Sequence, residues 1–264
     1  MKMRSLLSAL FFLAVVLGTV SCTKDASPVD PAGPYKLSYG DSILYMKPGS
    51  SSIVYPTSHR EGQYSGFPDG IEIDETTGAI NLDNSETGLR YRITHTATDG
   101  TITTTMVVLS GITFKDHFYN LSTGDSVALP VYNADERRIL PVSGSTFDEG
   151  NVANGGGCAV RTDNGKINLK ETIRNGVFGS PPRNDAQQTF EIKYRLNDGS
   201  GKSLNKLKVL LYWYNTMADV PQYVWDILND RTSQGVFLRN SNPLTGRPGQ
   251  VAKPRPPCVI IVDH

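Results

Sequence analysis

The sequence predicts an all-β protein of two tandem β-sandwiches, followed by a short C-terminal helix and a tail. Three observations lead to this prediction: the chain repeats itself, the repeated segments alternate between apolar and polar residues, and turn-forming residues separate short β-forming runs. The 264 residues suffice for two domains of about 100 residues each. The predicted boundaries are residues 35–112 and 113–215 for the sandwiches and residues 216–264 for the helix and tail.

The repeat consists of three pairs of similar segments in the same order. They are residues 35–43 with 119–127, 78–82 with 165–169, and 91–100 with 190–199. The first pair is identical at six of nine positions, and the last pair is more widely spaced than the first. The matches therefore indicate a duplicated domain whose second copy carries an insertion.

The third pair of segments has the alternation of a half-buried antiparallel strand. In the first copy Tyr91 and Ile93 are apolar, whereas Arg92 and Thr94 are polar. Asp-Gly follows in both copies and favours a tight turn, because Gly accepts a positive φ. A further alternating run comes next, so each copy is expected to close with a β-hairpin. Shorter strands are expected at residues 42–47, 52–57, 70–74 and 79–82.

Residues 66–80, together with the ending at residues 96–100, resemble the Ig-like and cadherin-like modules of bacterial surface proteins. The resemblance implies seven-stranded sandwiches with a binding or spacing role outside the cytoplasm. Cadherin-like modules often bind calcium through clustered carboxylates. The candidates are Asp69, Asp74, Asp83 and Asp99. Turn formation explains these acids equally well, so no metal ligand is assigned.

The start of the chain has the layout of a bacterial export signal. Lys2 and Arg4 precede an apolar block over residues 5–18, which is shorter than the about 20 residues of a membrane-spanning helix. The block ends in Thr19-Val20-Ser21-Cys22, which resembles the lipobox of bacterial lipoproteins. The resemblance implies that a signal peptide at residues 1–21 is removed and that Cys22 carries acyl chains such as palmitate.

An acylated Cys22 would anchor the chain to the cell envelope. We expect the outer membrane, with the cell surface and the periplasmic face both open. Residues 22–34 are rich in Pro and small polar residues and are expected to be a disordered tether. The membrane is therefore one expected partner of the mature protein.

Charge and motif content argue against several functions. Without Lys2 and Arg4 the chain has 24 basic and 26 acidic residues, a formal charge of −2, which gives no basic surplus for nucleic acid. It has no Gly-x-Ser-x-Gly motif, and its four histidines are far apart. We expect neither enzymatic activity nor a cofactor. A hydrolase that uses Glu72, Asp74 and Glu75 is the less favoured alternative.

Two cysteines remain besides Cys22. In an oxidising compartment Cys158 and Cys258 either form a disulfide or stay as buried thiols. Both alternatives stay open, because pairing needs Cα atoms within about 7 Å of each other.

The pattern becomes helical after residue 216. Val220, Val224, Ile227 and Leu228 share one face of a helix predicted over residues 219–231, with Asp219 as its N-cap. Five aromatic residues lie near this helix. They are Tyr212, Trp213, Tyr214, Tyr223 and Trp225. They either form a surface for a glycan or pack the helix on the second sandwich.

Residues 259–262 are four β-formers at the end of the chain. They are expected to pair with a sheet edge of this chain or of a partner. The leading hypothesis is a binding module for a glycan or another envelope ligand. A structural or adhesion role through this strand is the alternative.

Overall fold

β-strands make up most of the regular structure of the chain. The computed structural model describes residues 35–49, 51–234 and 257–264, and Lys36–His264 form one compact unit. The all-β prediction is confirmed. The predicted signal peptide, Cys22 and the tether lie outside the described residues. None of the helices in the described part is long and apolar enough to cross a membrane.

The N-terminal half of the unit contains two sheets. Its strands are β1 (Ile43–Leu44), β2 (Ile53–Val54), β3 (Gly62–Phe67), β4 (Glu72–Ile73), β5 (Ile80–Asn81), β6 (Arg90–Ala97) and β7 (Ile102–Leu109). One sheet has the order β1-β7-β6-β3 and the other the order β2-β5-β4. Only the β1–β7 pair among these strands is parallel.

Both sheets contribute to the core of this half. Tyr91 and Ile93 of β6 and Ile80 of β5 are fully buried. The turn before β5 lies against β3 at Gly78, which has a φ of +72° and no room for a side chain. A Cβ there would lie 2.7 Å from the ring of Tyr64, so glycine is required for this close approach.

The C-terminal half is larger and contains the helices. Its strands are β8 (Ile112–Phe114), β9 (His117–Asn120), β10 (Val127–Ala128), β11 (Pro130–Tyr132), β12 (Thr146–Phe147), β13 (Ile167–Asn168), β14 (Ala186–Arg195), β15 (Leu204–Tyr214) and β16 (Cys258–Val262). Its α-helices are α1 (Val152–Gly155), α2 (Leu169–Arg174) and α3 (Gln222–Gln234), and 3-10 helices cover Leu121–Thr123 and Met217–Asp219. The main sheet has the order β12-β14-β15-β16-β9, beside the pairs β10-β13 and β11-β8.

The five-stranded sheet is buried on both faces. Alternate residues of a strand point to opposite faces. Leu211 and Ile261 pack into a core with the small β8–β11 and β10–β13 ladders. Tyr212 and Ile260 pack into a second cluster with Val224 of α3. The sheet is therefore the middle of three layers.

The last strand, β16, lies between β15 and β9 and runs parallel to both. Cys258 pairs with Leu210, and Ile261 pairs with Tyr119. None of its five side chains exposes more than 1% of its surface. The expected edge pairing is confirmed within the chain. Both backbone edges of β16 are therefore paired within the chain over Val259–Val262.

The main sheets of the two halves have the same strand order apart from β16. In the N-terminal half, β1 pairs directly with β7. In the C-terminal half, β9 and β15 take these places, and β16 separates them. In the second copy, β16, which lies outside the repeat, is therefore inserted between the two strands whose equivalents pair directly in the first copy.

The first of the three predicted repeat pairs is out of register. Leu82 N donates to Ser52 O, and Leu169 N donates to Ser126 O, at 2.9 Å each. Strand β10 therefore corresponds to β2. Strand β2 pairs with β5, which leads to Leu82, and β10 pairs with β13, which leads to Leu169. The sequence comparison instead matches β10 with β1, because Ser followed by a β-branched residue begins both. The other two repeat pairs fall on equivalent strands.

The hairpin predictions are confirmed by the β6–β7 and β14–β15 pairs. The four shorter strands are present, with two paired residues each. The helix is also present, but its predicted N-cap is wrong. The carboxylate of Asp219 accepts from Thr216 N at 2.9 Å and caps the preceding 3-10 turn, and α3 begins at Gln222, after Pro221.

Removal of the Ile261 side chain tests how far the inserted strand stabilises the protein. Ile261→Ala is expected to lower the free energy of unfolding by about 2–5 kcal/mol, because it leaves a cavity in the larger core. The measurement is urea unfolding of the mature chain. Ile139→Ala is the control: Ile139 is 91% exposed, so a change within about 0.5 kcal/mol is expected. Equal effects of both variants would contradict the central position of β16.

Candidate functional site

A groove of about 870 Å³ lies between strands of the N-terminal and C-terminal halves. Its volume falls in the range of about 300–1,000 Å³ that is usual for ligand sites. Polar residues of the first wall are Glu72, Asp83, Asn84, Ser85, Glu86 and Thr87. Residues of the second wall include Glu191, Lys193, Asn205, Lys206, Lys208 and Pro257. None of the predicted site residues except Glu72 and Asp83 lines this groove.

The first wall is a loop held by its own hydrogen bonds. Asn81 Oδ1 accepts from the backbone N–H of Asp83 and of Asn84, at 3.1 and 3.3 Å. Ser85 Oγ donates to Asn81 O at 2.6 Å and accepts from Glu72 N at 2.9 Å. These bonds fix the loop against β4 and β5, so this wall is preformed.

The second wall is the part of β15 that extends beyond β16. Strand β14 pairs with β15 over Leu204–Trp213, whereas β16 begins opposite Leu210. We call residues 204–208 of β15 the open edge, since no strand of the described residues pairs with them on the side of β16. The open edge exists because β16 is shorter than β15.

The backbone groups of the open edge point into the groove. Leu210 N donates to Pro257 O, and Tyr214 O accepts from Asp263 N, so the even-numbered residues of β15 face β16. The period of two in a strand gives Lys206 and Lys208 the same direction. Their N–H and C=O groups have no strand to bond among the described residues. This is the arrangement that accepts an added strand.

The side chains of the open edge are mainly basic. Lys206 and Lys208 are exposed, and within the described residues neither has an ion-pair partner. Lys193 on the neighbouring β14 lies 3.9 Å from Glu191. The outer face of the sheet at the groove therefore carries three lysines and one carboxylate, Glu191, which lies opposite Lys208 in the β14–β15 register.

A buried polar group also lines the groove. Asn205 is 4% exposed, and its Oδ1 has no hydrogen-bond partner among the described residues. Its Nδ2 donates to Ser203 O at 3.2 Å. An unsatisfied buried acceptor costs stability, and a ligand with a donor can satisfy it.

Tyr194 fixes the two walls relative to each other. Its hydroxyl accepts from Ile112 N at 3.0 Å and shares a hydrogen bond with Thr87 Oγ1 at 3.2 Å. Burial raises the pKa of Tyr194 to about 12, so the hydroxyl keeps its proton at neutral pH. A Cβ at Gly111 would lie 2.6 Å from this oxygen, so glycine is required there.

Asp198 makes a second link between the halves. Its Oδ2 accepts from Ser110 Oγ at 2.9 Å and from Tyr132 Oη at 2.8 Å. Burial, followed by the hydrogen bond to Asp198, raises the pKa of Tyr132. Asp198 belongs to the turn after β14, which the sequence identified only as part of a hairpin.

The predicted aromatic cluster is not a ligand surface. Tyr212, Trp213 and Tyr214 are at most 5% exposed, and Trp213 faces the opposite side of the sheet from the other two. Trp225 packs on Phe118 with ring centroids 4.3 Å apart, and only Tyr223 is exposed. Tyr212, Tyr214 and Trp225 pack the helix on the sheet, which is the alternative that the sequence left open, whereas Trp213 packs on Phe178 in the other core.

The predicted calcium candidates take part in hydrogen bonds of turns and loops. Each accepts a hydrogen bond from a backbone N–H; the acceptors are Asp69, Asp74, Asp83 and Asp99. The bonds from Thr77, followed by the bond from Thr76, lower the pKa of Asp74. No three His, Cys, Asp or Glu side chains of the described residues converge as metal ligands.

Cys158 and Cys258 are buried thiols in the structure. Cys258 faces the cluster under α3, whereas Cys158 packs in the core on the other face of the sheet. The sheet between them prevents the predicted disulfide alternative. Burial raises the pKa of Cys158 to about 12.

Comparisons with known proteins do not identify the chain. No protein-family model matches it, and no curated protein matches it. Ten chains of solved structures are similar to it in part. One is Drosophila N-cadherin EC1-4, with 14% identity and a TM-score of 0.18 over 64% of this chain and 46% of that chain.

Tyr194→Phe tests the link between the walls. The variant is expected to lose about 1–3 kcal/mol of stability, because the hydroxyl of Thr87 in the N-terminal half and the buried N–H of Ile112 both lose their partner. Tyr55→Phe is the matched control, since Tyr55 is 61% exposed. A change within about 0.5 kcal/mol is expected for it. Equal urea midpoints for both variants would show that the hydroxyl of Tyr194 does not hold the halves.

Thiol titration without a reductant tests the state of the cysteines. The folded mature chain is expected to react with neither Cys158 nor Cys258 at mildly alkaline pH, because both are buried. In guanidinium chloride both are expected to react. Absence of reactive thiols after unfolding would show a disulfide and overturn the placement of these residues.

Proposed function

We propose that this chain is a non-catalytic binding module of the bacterial cell envelope, held by a lipid on Cys22. The observation that carries the binding role is the groove, with its preformed loop, its open edge and the unpaired acceptor of Asn205. The sequence pattern before Cys22 supports the anchor, and the outer membrane is the proposed location.

The two halves would be tandem Ig-like sandwiches in this proposal. Support comes from the shared strand order and from the hairpin that closes each main sheet. Two small modules joined through Tyr194 and Asp198 would hold the groove walls at a constant distance. Neither a cofactor nor nucleic acid has a part in this role.

A glycan and another envelope protein are the two ligand classes that the sequence favours. Tyr212, Trp213 and Tyr214 do not support the glycan, because these aromatic faces are buried. Pairing at a sheet edge favours a protein ligand, with the open edge of β15 in place of β16. A hydrolase has no support from Glu72, Asp74 and Glu75, since Asp74 caps a turn.

Labelling with an alkyne fatty acid, followed by protease treatment of intact cells, tests the anchor and the location. Wild-type chain is expected to incorporate the label and Cys22→Ser to lose it. Loss of the C-terminal half to the protease while a periplasmic marker survives would place the groove at the cell surface. Equal labelling of Cys22→Ser would overturn the lipid anchor, and protection from protease would place the groove in the periplasm.

A further inference from the structure

We propose that the open edge of β15 binds an extended acidic segment of another envelope protein, which joins the main sheet as an added strand. The inference rests on the proposed binding function and names its ligand class. It is the mode in which main-chain hydrogen bonds supply affinity and alternate side chains supply specificity.

The backbone of the open edge supplies the first argument. The N–H and C=O groups of Lys206 and Lys208 face the groove, as those of Leu210 face β16. Strand β14 already occupies the other side of β15 over this stretch. An added strand would therefore extend a sheet that is paired on one side, in line with β16.

The side chains of the open edge determine the charge of the ligand. A strand beside β15 places alternate side chains next to Lys206 and Lys208, on the same face of the sheet. Acidic residues at two positions separated by one residue would pair with both lysines. The first wall carries Glu72, Asp83 and Glu86, which disfavour further acidic residues on the side of the ligand that faces this wall. The expected motif is an acidic residue at every second position with uncharged residues between.

The same charges exclude a second copy of the open edge as the occupant. Two copies that pair edge to edge would bring lysines together across the new strand pair, which is destabilising. The buried Oδ1 of Asn205 is a further acceptor, to which a side-chain donor of a partner can hydrogen-bond. A partner with acidic and amide or hydroxyl side chains fits both features.

Fluorescence anisotropy with synthetic peptides on the full mature chain tests the proposal. The probe is a labelled octapeptide that alternates Glu with Thr. It is expected to bind, and affinity is expected to decrease with salt. A peptide with Lys in place of Glu is expected not to bind. Two further peptides carry methyl groups on the backbone nitrogens of alternate residues, one on the odd-numbered and one on the even-numbered residues. Only one of them should lose binding, because only one edge of the peptide faces β15.

Matched variants locate the binding site. K206E together with K208E is expected to weaken binding about tenfold or more. The control is K166E together with K170E, which makes the same charge change at exposed residues outside the groove and should leave affinity unchanged. Equal losses of peptide affinity in the two double variants would show that the open edge is not the binding site.

Two further outcomes separate this inference from the proposed function. Binding of an acidic polysaccharide that K206E with K208E removes, without binding of any peptide, would overturn the strand addition and leave a binding module. If neither the polysaccharide nor any peptide binds, the groove is not a binding site. Replacement of residues 251–256, which precede Pro257, by Gly and Ser should preserve peptide binding. Its loss would show that the peptide binds those residues and not the open edge.

Discussion

The insertion of β16 between β15 and β9 is the constraint on which the C-terminal half depends. Five apolar residues fill a position where both backbone edges and both faces are covered. Asp116 Oδ1 accepts from Cys258 N at 2.6 Å and sets the register at the start of the strand. Without β16, the ladders on one face and α3 on the other would each lose part of their packing surface. One short segment thus joins three layers.

The candidate site follows from the same insertion. Strand β15 has eleven residues and β16 has five, so the two cannot match along their whole length. The mismatch leaves the open edge at the end of β15 nearest to the N-terminal half, where Thr87 and Tyr194 hold the loop that forms the opposite wall. In the N-terminal half, β1 completes the sheet by itself and no equivalent strand is inserted. The groove is therefore a product of the difference between the two copies.

Local patterns predicted the hairpins, because alternation and Asp-Gly turns act over a few residues. They could not predict the partners of β16, since nothing in five apolar residues says which edge lies beside them after folding. The choice between the two aromatic alternatives could be narrowed from the sequence, because Tyr212, Trp213 and Tyr214 are consecutive in a strand and a period of two places Trp213 on the other face. The groove had a weak signal in Lys206 and Lys208, which are alternate charges in a mainly apolar strand. Its location depended on where β16 begins, which is a long-range property.

Lysines on an exposed strand edge have a protective role in many proteins, because they prevent uncontrolled pairing between sheets. Protection alone would explain Lys206 and Lys208, but it would not require a preformed loop opposite them or the unpaired acceptor of Asn205 between. The two roles also agree physically. A basic edge repels a second copy of itself and attracts an acidic strand, so the same charges that keep the protein from self-association select the partner.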